Sequence, residues 1–557
     1  MANYLDIGED NSAVLSSRAH ELLKPDYAQP SNYGMNQIMN YISGDGFNCS
    51  IAENFLQNHM IIDKLNTLSS TGGGLFTTED MGYTIPTGSI PFKTAFIHFL
   101  QRHVFKNCII SHQELICASG CVALLHQLAI VLFEPGDGVM IPLPFYPAFI
   151  HDFYYIGQVT VFGIDLPKTN KNNGKNENGG FNKEIYTCLL QDTYDRALSE
   201  NHMIKAILIC NPDNPTGYIY SREELLCIYD FCQANNVHLI MDEIYALSVY
   251  NDGDGDNINN DDDGDNNNDD GDGDNNNNND GDGDNNNNDG DGDNNNNDGD
   301  GDNINDGFMS MATILALEHS DESNAHQNGG SSLGTDLVHF VYSLSKDLGG
   351  SGLRVGCLYS NNYTLLECCS RLSDAMMISR LTQVLLTSLL HDYQFMDDFI
   401  HRNQVLLRQS MNLLRNGLIN KCGFAETDIY CGAGIFIWVN FESWFQYITK
   451  TETSEQIRRE MIIRHASSDA QDDDDNDNNI HHGLTAPTLI DYSLERALYI
   501  LFTTRKIYFT DGYSCMCKTP GFFRICFARI RNINEVDGLV DALVELKNTL
   551  MCSVEKK

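Results

Sequence analysis

The sequence predicts an α/β protein whose core is a mostly parallel β-sheet covered by helices. Three continuous apolar runs have the length of buried strands, at residues 206–210, 238–242 and 337–342. Between the first two, residues 221–235 have helical periodicity and begin with Ser-Arg-Glu-Glu, which fits a capping box. A strand, a helix and a further strand in that order predict parallel strands joined by a helical crossover.

A second, smaller domain of α+β type is predicted after the parallel sheet. The apolar runs at 434–439 and 522–527 have the character of strands in this domain. A chain of 557 residues, 42% of them hydrophobic, is long enough to bury two cores. We expect an N-terminal arm and part of the small domain over 1–75, a large domain over 76–365 and the small C-terminal domain over 366–557.

The acidic charge is unevenly distributed. The formal net charge is −42, but residues 251–307 contain 21 Asp and no other charged residue. Residues 472–477 contain five more Asp, so these two segments hold 26 of the 42 excess negative charges. The remainder, at about −16, is mildly acidic and has no basic stripe. This pattern argues against binding to nucleic acid or to an anionic membrane.

The segment 251–307 repeats roughly as DGDGDNNNN and has almost no apolar side chains. Such a segment cannot offset the entropy of ordering itself, so we expect a disordered insertion in the large domain. Calcium loops also place oxygen ligands at alternate positions, but here the terminal Glu and the flanking helices are missing. We therefore predict no metal site. The second acidic segment, 465–483, is predicted to be a surface loop.

The 17 cysteines have no regular spacing and no pair arranged for zinc. Dispersed cysteines in apolar segments are typical of a reducing compartment. The N-terminus lacks a basic region followed by an apolar one, and no apolar run reaches the ~18 residues that span a bilayer. We expect a soluble cytoplasmic protein.

Lys346 follows the predicted strand 337–342 in a Ser-Leu-Ser-Lys turn. A lysine in a loop is most often a solvated charge, but an amine with a lowered pKa can bond covalently to an aldehyde. Ser343, Ser345 and Arg354 lie close to it along the chain, with glycines between the lysine and the arginine. Hydroxyls, a guanidinium and closely approaching backbone suit a bound phosphate.

Other polar residues follow the two preceding strands. Asp242 ends one strand three residues before Tyr245, and Asn214 lies in an Asn-Pro-Asp-Asn-Pro-Thr-Gly segment after another. Each has an alternative interpretation as a turn residue. A carboxylate at a buried strand end could instead pair with a ring N–H, and Asn214 and Tyr245 could bond a phenolic oxygen. Ligands collect at the carboxyl ends of parallel strands, so we expect these side chains to meet.

Two further segments could contact the same ligand. Residues 118–122 form a small, Gly-containing turn before a helical stretch, and such a turn presents backbone N–H groups to phosphate. Tyr146, in Pro-Leu-Pro-Phe-Tyr-Pro, could stack on a ring or be a core aromatic.

In this order and spacing, the motifs resemble the fold-type I pyridoxal-phosphate (PLP) enzymes of the class I/II aminotransferase family over about residues 43–535. The resemblance is strongest to the 1-aminocyclopropane-1-carboxylate (ACC) synthase branch. It implies that PLP is attached to Lys346, which also moves the α-proton of an amino-acid substrate. It further implies that Asp242 pairs with the ring nitrogen, and Tyr245 and Asn214 with the ring oxygen. The other implied cofactor contacts are stacking by Tyr146 and phosphate binding by Gly120, Cys121, Val122, Ser343, Ser345 and Arg354.

The same resemblance implies substrate and subunit contacts. Arg524, in Pro-Gly-Phe-Phe-Arg, is similar to the arginine that binds the substrate α-carboxylate. Glu53, in Ile-Ala-Glu-Asn, is similar to the glutamate that helps to orient the substrate in ACC synthases, although a helix-start glutamate is the alternative. Tyr83 is similar to a tyrosine that reaches the phosphate of the neighbouring subunit, which implies a homodimer with shared active sites.

Some positions depart from the family pattern. Cys121 and Val122 replace the usual Ala-Thr and lose a hydroxyl that would contact the phosphate. The segment after Lys346 lacks the Pro-Gly-Phe-Arg of plant ACC synthases and looks closer to the ACC-synthase-like proteins of animals, whose name does not guarantee the activity.

Three functions therefore stay open at this point. ACC synthase chemistry converts S-adenosylmethionine to ACC and methylthioadenosine, and Glu53 is the residue that favours it. Transamination of an amino acid to its keto acid would use the same cofactor residues. A non-catalytic relative, whose acidic tract recruits partners, is the third interpretation. The sequence identifies neither the preferred amino acid, nor the role of the tract, nor any regulation by the cysteines.

Overall fold

The computed structural model describes residues 46–70, 75–168, 181–250, 308–320, 333–448, 492–530 and 533–555. The predicted insertion at 251–307 and the predicted acidic loop at 465–483 lie outside these residues. Among the helices that are described, none is both long and apolar enough to cross a membrane.

The strands of the described residues belong to three sheets. In chain order they are β1 (Phe47–Asn48), β2 (Leu115–Ala118), β3 (Gly138–Pro142), β4 (Thr160–Ile164), β5 (Ile204–Cys210), β6 (His238–Asp242), β7 (Val338–Ser343), β8 (Gly356–Ser360), β9 (Ile429–Tyr430), β10 (Ile437–Asn440), β11 (Ile507–Tyr508), β12 (Thr510–Asp511) and β13 (Phe522–Ile525).

The α-helices lie between and around these strands. In chain order they are α1 (Asn58–Ser70), α2 (Ile90–His103), α3 (Cys121–Leu132), α4 (Ala148–Gly157), α5 (Lys183–Ser199), α6 (Arg222–Asn235), α7 (Met311–Ser320), α8 (Leu344–Asp347), α9 (Tyr363–Leu372), α10 (Arg380–Leu390), α11 (Tyr393–Asn420), α12 (Phe445–Ile448), α13 (Tyr492–Thr504) and α14 (Ile533–Glu555).

The large sheet has seven strands in the order β2-β8-β7-β6-β5-β3-β4. Neighbours from β7 through β6, β5 and β3 to β4 are parallel, whereas β8 is antiparallel to both β7 and β2. The central strands are buried almost throughout, as expected for a sheet with helices on both faces. The predicted α/β class with a mostly parallel sheet is confirmed.

Helix α6 forms where the periodicity predicted it. Ser221 is the N-cap and its hydroxyl accepts a hydrogen bond from the Glu224 backbone N–H at 3.2 Å. The Glu224 carboxylate in turn accepts from the Ser221 N–H at 2.7 Å, which completes the capping box. The crossover from β5 through α6 to β6 therefore has the predicted strand–helix–strand form.

The small sheets are built from the C-terminal half and one N-terminal segment. A four-stranded antiparallel sheet has the order β12-β13-β10-β9, and β1 pairs in parallel with β11. The predicted strands at 434–439 and 522–527 correspond to β10 and β13. The proposed domain boundaries at 75/76 and 365/366 stay a prediction.

Candidate active site

The candidate site lies at one edge of the seven-stranded sheet. Strands β2, β5, β6 and β7 share one direction, so their carboxyl ends meet there. Strand β8 runs the opposite way, which brings its amino end, and Arg354 two residues before it, to the same edge. Five segments that lie apart in the sequence therefore bring their polar residues to one region.

Lys346 lies on the short helix α8, directly after β7. Its Nζ donates to the Ala52 carbonyl oxygen at 2.6 Å. Burial lowers the pKa of Lys346, and the neighbouring Arg524 guanidinium lowers the pKa further. Both effects favour the neutral amine, which is the form that attacks a carbonyl carbon.

Asp242 ends β6 and is buried at 5% exposure. Its Oδ1 accepts from the Ile244 backbone N–H at 3.3 Å, while Oδ2 has no hydrogen-bond partner among the described residues. Burial raises the pKa of Asp242 to about 7, and the hydrogen bond from the Ile244 backbone N–H opposes that rise. A buried carboxyl with one unused oxygen is suited to a cationic ring N–H.

Asn214, Tyr245 and Arg524 form a chain of buried hydrogen bonds. Asn214 Nδ2 donates to the Tyr245 hydroxyl at 3.4 Å, and its Oδ1 accepts from Arg524 Nη1 at 2.8 Å. Arg524 Nη2 also donates to the Ser50 carbonyl at 2.5 Å and to Thr510 Oγ1 at 3.1 Å. Arg524 Nε is buried without a hydrogen-bond partner among the described residues, so the guanidinium keeps a donor for a ligand.

A second group of residues forms a tight cradle around Gly120. Gly120 has φ +90°, and a Cβ at this position would lie 2.7 Å from Arg354 Nη2. Arg354 itself donates to the Ser119 carbonyl at 2.9 Å and to the Ser351 carbonyl at 3.0 Å. Because α3 begins at Cys121, this cradle combines a guanidinium with helix N-terminal N–H groups, a combination that suits phosphate.

The remaining predicted cofactor contacts surround these two groups. The Ser343 and Ser345 hydroxyls lie 2.7 Å apart, and Ser343 is paired with the first residue of β8. Burial raises the pKa of the Cys121 thiol, and Asp242 adds to that rise. Val122 is exposed, so its side chain is not part of the core. Burial also raises the pKa of Tyr146, and the nearby Arg524 charge lowers it.

Glu53 is held from two sides. Its carboxylate forms an ion pair with Arg529 Nη1 and accepts from Ser351 Oγ at 3.2 Å. The residue before it, Ala52, is the one whose carbonyl accepts from Lys346. The alternative of a simple helix-start glutamate is not what the structure has, because α1 begins five residues later at Asn58.

Tyr83 stands apart from this cluster. Its side chain is fully exposed, and it lies in a loop after the short 3₁₀ helix Thr78–Met81. Within one chain the structure therefore does not bring it to the site. Its predicted contact with a neighbouring subunit stays a prediction.

The residues present fit the cofactor that the resemblance implies. Lys346 supplies an amine of lowered pKa, and Asp242 supplies a carboxylate oxygen without a hydrogen-bond partner among the described residues. The Gly120 cradle has no room for a Cβ beside Arg354. These are the amine, the acceptor and the anion cradle that an aldehyde, a ring nitrogen and a phosphate require.

Comparison with known proteins decides the family. The family model for class I and II aminotransferases matches residues 77–267 and 318–543, which is most of the chain. This chain belongs to the class I and II aminotransferase family. The protein is therefore a PLP-dependent enzyme, and the non-catalytic interpretation of the sequence is set aside.

Sequence relatives within this aminotransferase family carry the name ACC synthase. A 1-aminocyclopropane-1-carboxylate synthase of Vigna radiata is 25% identical over 444 residues, which is 79% of this chain and 88% of the relative. The 1-aminocyclopropane-1-carboxylate synthase 11 of Arabidopsis thaliana is 26% identical over 459 residues, which is 81% of this chain and 73% of the relative. The resemblance to this branch, inferred from the motifs, is confirmed.

Solved aminotransferase structures share the fold. An aspartate aminotransferase from Thermus thermophilus, solved with maleate, has a TM-score of 0.58 at 13% identity and covers 96% of this chain and 99% of its own. A kynurenine aminotransferase from Pyrococcus horikoshii has a TM-score of 0.59 at 12% identity, covering 97% and 98%. These matches confirm PLP fold type I.

Three contributors to the site were missed from the sequence. Arg529 and Ser351 hold Glu53, and the Ala52 carbonyl accepts from Lys346. One signal was available for Arg529, because it stands five residues after Arg524 in the same apolar segment. The backbone carbonyl left no signal, since any residue type supplies one.

Proposed function

We propose that this enzyme acts on S-adenosylmethionine and forms ACC and methylthioadenosine. The observation that carries the proposal is the position of Glu53, which follows Ala52, the residue bonded by Lys346, and forms an ion pair with Arg529. A carboxylate beside the reacting lysine suits a substrate with a cationic sulfonium. Curated relatives named ACC synthase over about four fifths of the chain add support.

Each residue has a distinct task in this proposal. Arg524 binds the α-carboxylate through its guanidinium, and its buried Nε is an available donor. Lys346, as a neutral amine, takes the α-proton. Bound PLP supplies the electron sink for the pair left on the α-carbon, and Asp242 sustains that property by pairing with the ring nitrogen. The γ-carbon accepts the electron pair, and the sulfonium leaves as neutral methylthioadenosine.

Transamination is the second candidate. The Glu53 carboxylate already has Arg529 as a partner, so it is not a free anion waiting for a substrate cation. The cofactor residues serve both reactions equally well, and the solved structures of similar fold are aminotransferases.

Product analysis separates the two reactions. Purified PLP-loaded protein is incubated with S-adenosylmethionine, and methylthioadenosine and ACC are measured by chromatography. The proposal predicts equal amounts of the two products. A keto acid formed from ordinary amino acids, without methylthioadenosine, contradicts it and selects transamination. Glu53→Gln should lower the rate with S-adenosylmethionine far more than that of any side transamination.

We also propose a homodimer in which Tyr83 of one subunit reaches the phosphate of the other. The full exposure of Tyr83 in one chain supports this. An equal mixture of Tyr83→Ala and Lys346→Ala proteins, unfolded and refolded together, should regain about a quarter of the native activity, because half of the dimers are mixed and each mixed dimer contains one intact site out of two. No recovery, with a monomeric mass in solution, contradicts the shared site.

A further inference from the structure

Three basic side chains contact one short segment, residues 50–53. Arg524 donates to the Ser50 carbonyl, Lys346 donates to the Ala52 carbonyl and Arg529 pairs with the Glu53 carboxylate. Arg524 and Lys346 bond to neutral backbone carbonyls, whereas Arg529 pairs with the one carboxylate of the segment. The Glu53 carboxylate thus belongs to the residue that directly follows Ala52, whose carbonyl contacts the lysine proposed to bear the cofactor.

Arg529 is placed by the same piece of chain that places Arg524. After β13, the 3₁₀ helix Phe527–Arg529 turns the backbone back toward segment 50–53. Two backbone hydrogen bonds tie the two stretches together, from Cys526 N–H to the Cys49 carbonyl at 2.9 Å and from Phe55 N–H to the Ala528 carbonyl at 2.8 Å. The position of the Arg529 guanidinium relative to Glu53 is therefore set by paired backbone.

The ion pair is shielded from water. The Arg529 side chain is 5% exposed and the Glu53 side chain 19%. The Arg529 guanidinium also lies over the Phe55 ring, 5.2 Å from its centroid. Removing one partner of such a pair leaves a poorly solvated charge that must find another partner. Lys346 is close enough for the charge of Glu53 to raise its pKa, and it already contacts the adjacent residue, Ala52.

We propose that Arg529 is a positioning residue that holds the Glu53 carboxylate away from Lys346, so that the lysine nitrogen stays free to react. The charged and titratable groups that face Lys346 are Arg524, Cys526, Glu53, Cys121 and Asp242. Of these, Glu53 is the one with a dedicated arginine partner. Arg529 would act on the lysine and its cofactor, which both candidate reactions share.

The charge balance gives the direction of the effect. Glu53 already raises the pKa of Lys346 against the lowering by burial and by Arg524. A Glu53 carboxylate released from Arg529 would strengthen that rise, because an opposite charge nearby favours the protonated nitrogen. The reactive nitrogen would then lose its proton at a higher pH.

The test titrates the visible absorbance of the bound cofactor against pH in the PLP-loaded protein, without amino acid. Arg529→Gln is expected to move the midpoint upward by about one pH unit. Arg529→Lys should stay near the native midpoint, and Glu53→Gln should move it downward. The double variant Arg529→Gln/Glu53→Gln should lose the upward shift, since the carboxylate is gone. Arg505→Gln, which removes an arginine paired with Glu545 on the surface, is the matched control and should change nothing.

Two results with the Arg529→Gln protein would overturn the proposal. One is an unchanged midpoint in folded Arg529→Gln, and the other is an upward shift that persists in the double variant, which would indicate a general structural effect. If Arg529→Gln does not fold, Ser351→Ala replaces it, because it removes the second contact of Glu53. A smaller upward shift in Ser351→Ala supports the proposal, and no shift overturns it.

Discussion

Arg524 donates from Nη1 to Asn214 Oδ1 at 2.8 Å, although 310 positions separate the two residues in the chain. Arg524 comes from β13 of the four-stranded sheet, whereas Asn214 comes from the loop that follows β5 of the seven-stranded sheet. The bond therefore links the two sheets inside the candidate site. Asn214 also donates to the Tyr245 hydroxyl, so it connects the proposed carboxylate-binding arginine to Tyr245.

Arg524→Lys should weaken substrate binding while the cofactor stays bound. A lysine keeps the positive charge but has neither the planar fork for a carboxylate nor the reach to Asn214 and Ser50 together. We expect KM for the amino-acid substrate to rise on the order of 10²-fold. Steady-state kinetics measures KM, and the visible cofactor band checks loading. Loss of the band together with activity would show that Arg524 supports the fold instead.

Gly120→Ala should weaken cofactor binding, and Gly136→Ala provides a matched control. The two glycines have nearly the same φ, +90° and +92°, so both substitutions place an L side chain at a φ that favours glycine. Only at Gly120 does the new Cβ meet Arg354 Nη2, at 2.7 Å, while nothing lies within 4 Å at Gly136. We expect Kd for PLP to rise at least about tenfold in Gly120→Ala alone, measured by fluorescence titration. Equal effects in the two variants would mean that backbone strain, not the cradle, is responsible.

Asp242→Asn should change how stability depends on pH in the cofactor-free protein. Burial raises the pKa of Asp242 from 3.8 in its ordinary state to about 7 in the fold, so unfolding releases a proton between these values. The native stability contributed by this group is complete below pH 4 and is lost as the pH rises toward 7. The free energy of unfolding of Asp242→Asn, relative to that of the native protein, should therefore increase with pH between these two pKa values, by at most about 1.4 kcal/mol per pH unit.

Urea unfolding at pH 4.5, 5.5 and 6.5 measures this difference. The exposed Asp398→Asn serves as the control and should show no such trend. A flat difference for Asp242→Asn would show that the carboxyl is ionised in the fold across this range.

Lys346→Ala should abolish covalent attachment of the cofactor. The variant has no amine at this position, so the visible band of the bound cofactor should be absent and turnover should fall by at least about 10³-fold. Absorbance spectroscopy and product assays measure these effects. Lys183→Ala, which removes an exposed lysine paired with Asp230, should retain both. A persistent band in Lys346→Ala would place the attachment elsewhere.

Deletion of residues 252–306 should leave cofactor binding intact. The described chain ends on one side at Tyr250 and resumes at Phe308, and the named site residues all lie outside this stretch. We expect the same visible band and a Tm within a few degrees of the native protein, measured by absorbance and calorimetry. Failure of the deleted protein to bind PLP would show that the tract has a structural role.

Much of the fold was predictable because its determinants are local. Buried strands such as β5 and β6 are continuous apolar runs, and α6 begins with the Ser221–Glu224 capping box that the sequence contains. Strand–helix–strand order then predicts a parallel sheet, and parallel strands bring their carboxyl ends to one edge. The expectation that Asp242, Asn214 and Lys346 would meet followed from this geometry and from the family resemblance.

Other features were decided by tertiary structure alone. The reversal of β8, which brings Arg354 beside Gly120, depends on pairing between strands that lie far apart in sequence. The partners of Glu53 come from positions about 300 and 476 residues away, and no periodicity links such positions. Motifs in the sequence by themselves predicted the family and the cofactor, which the comparisons confirm, and Lys346 as the attachment point, which stays a prediction. Packing of the small sheet against the cofactor-binding edge decided which charge neutralises Glu53, because only folding brings those backbones together.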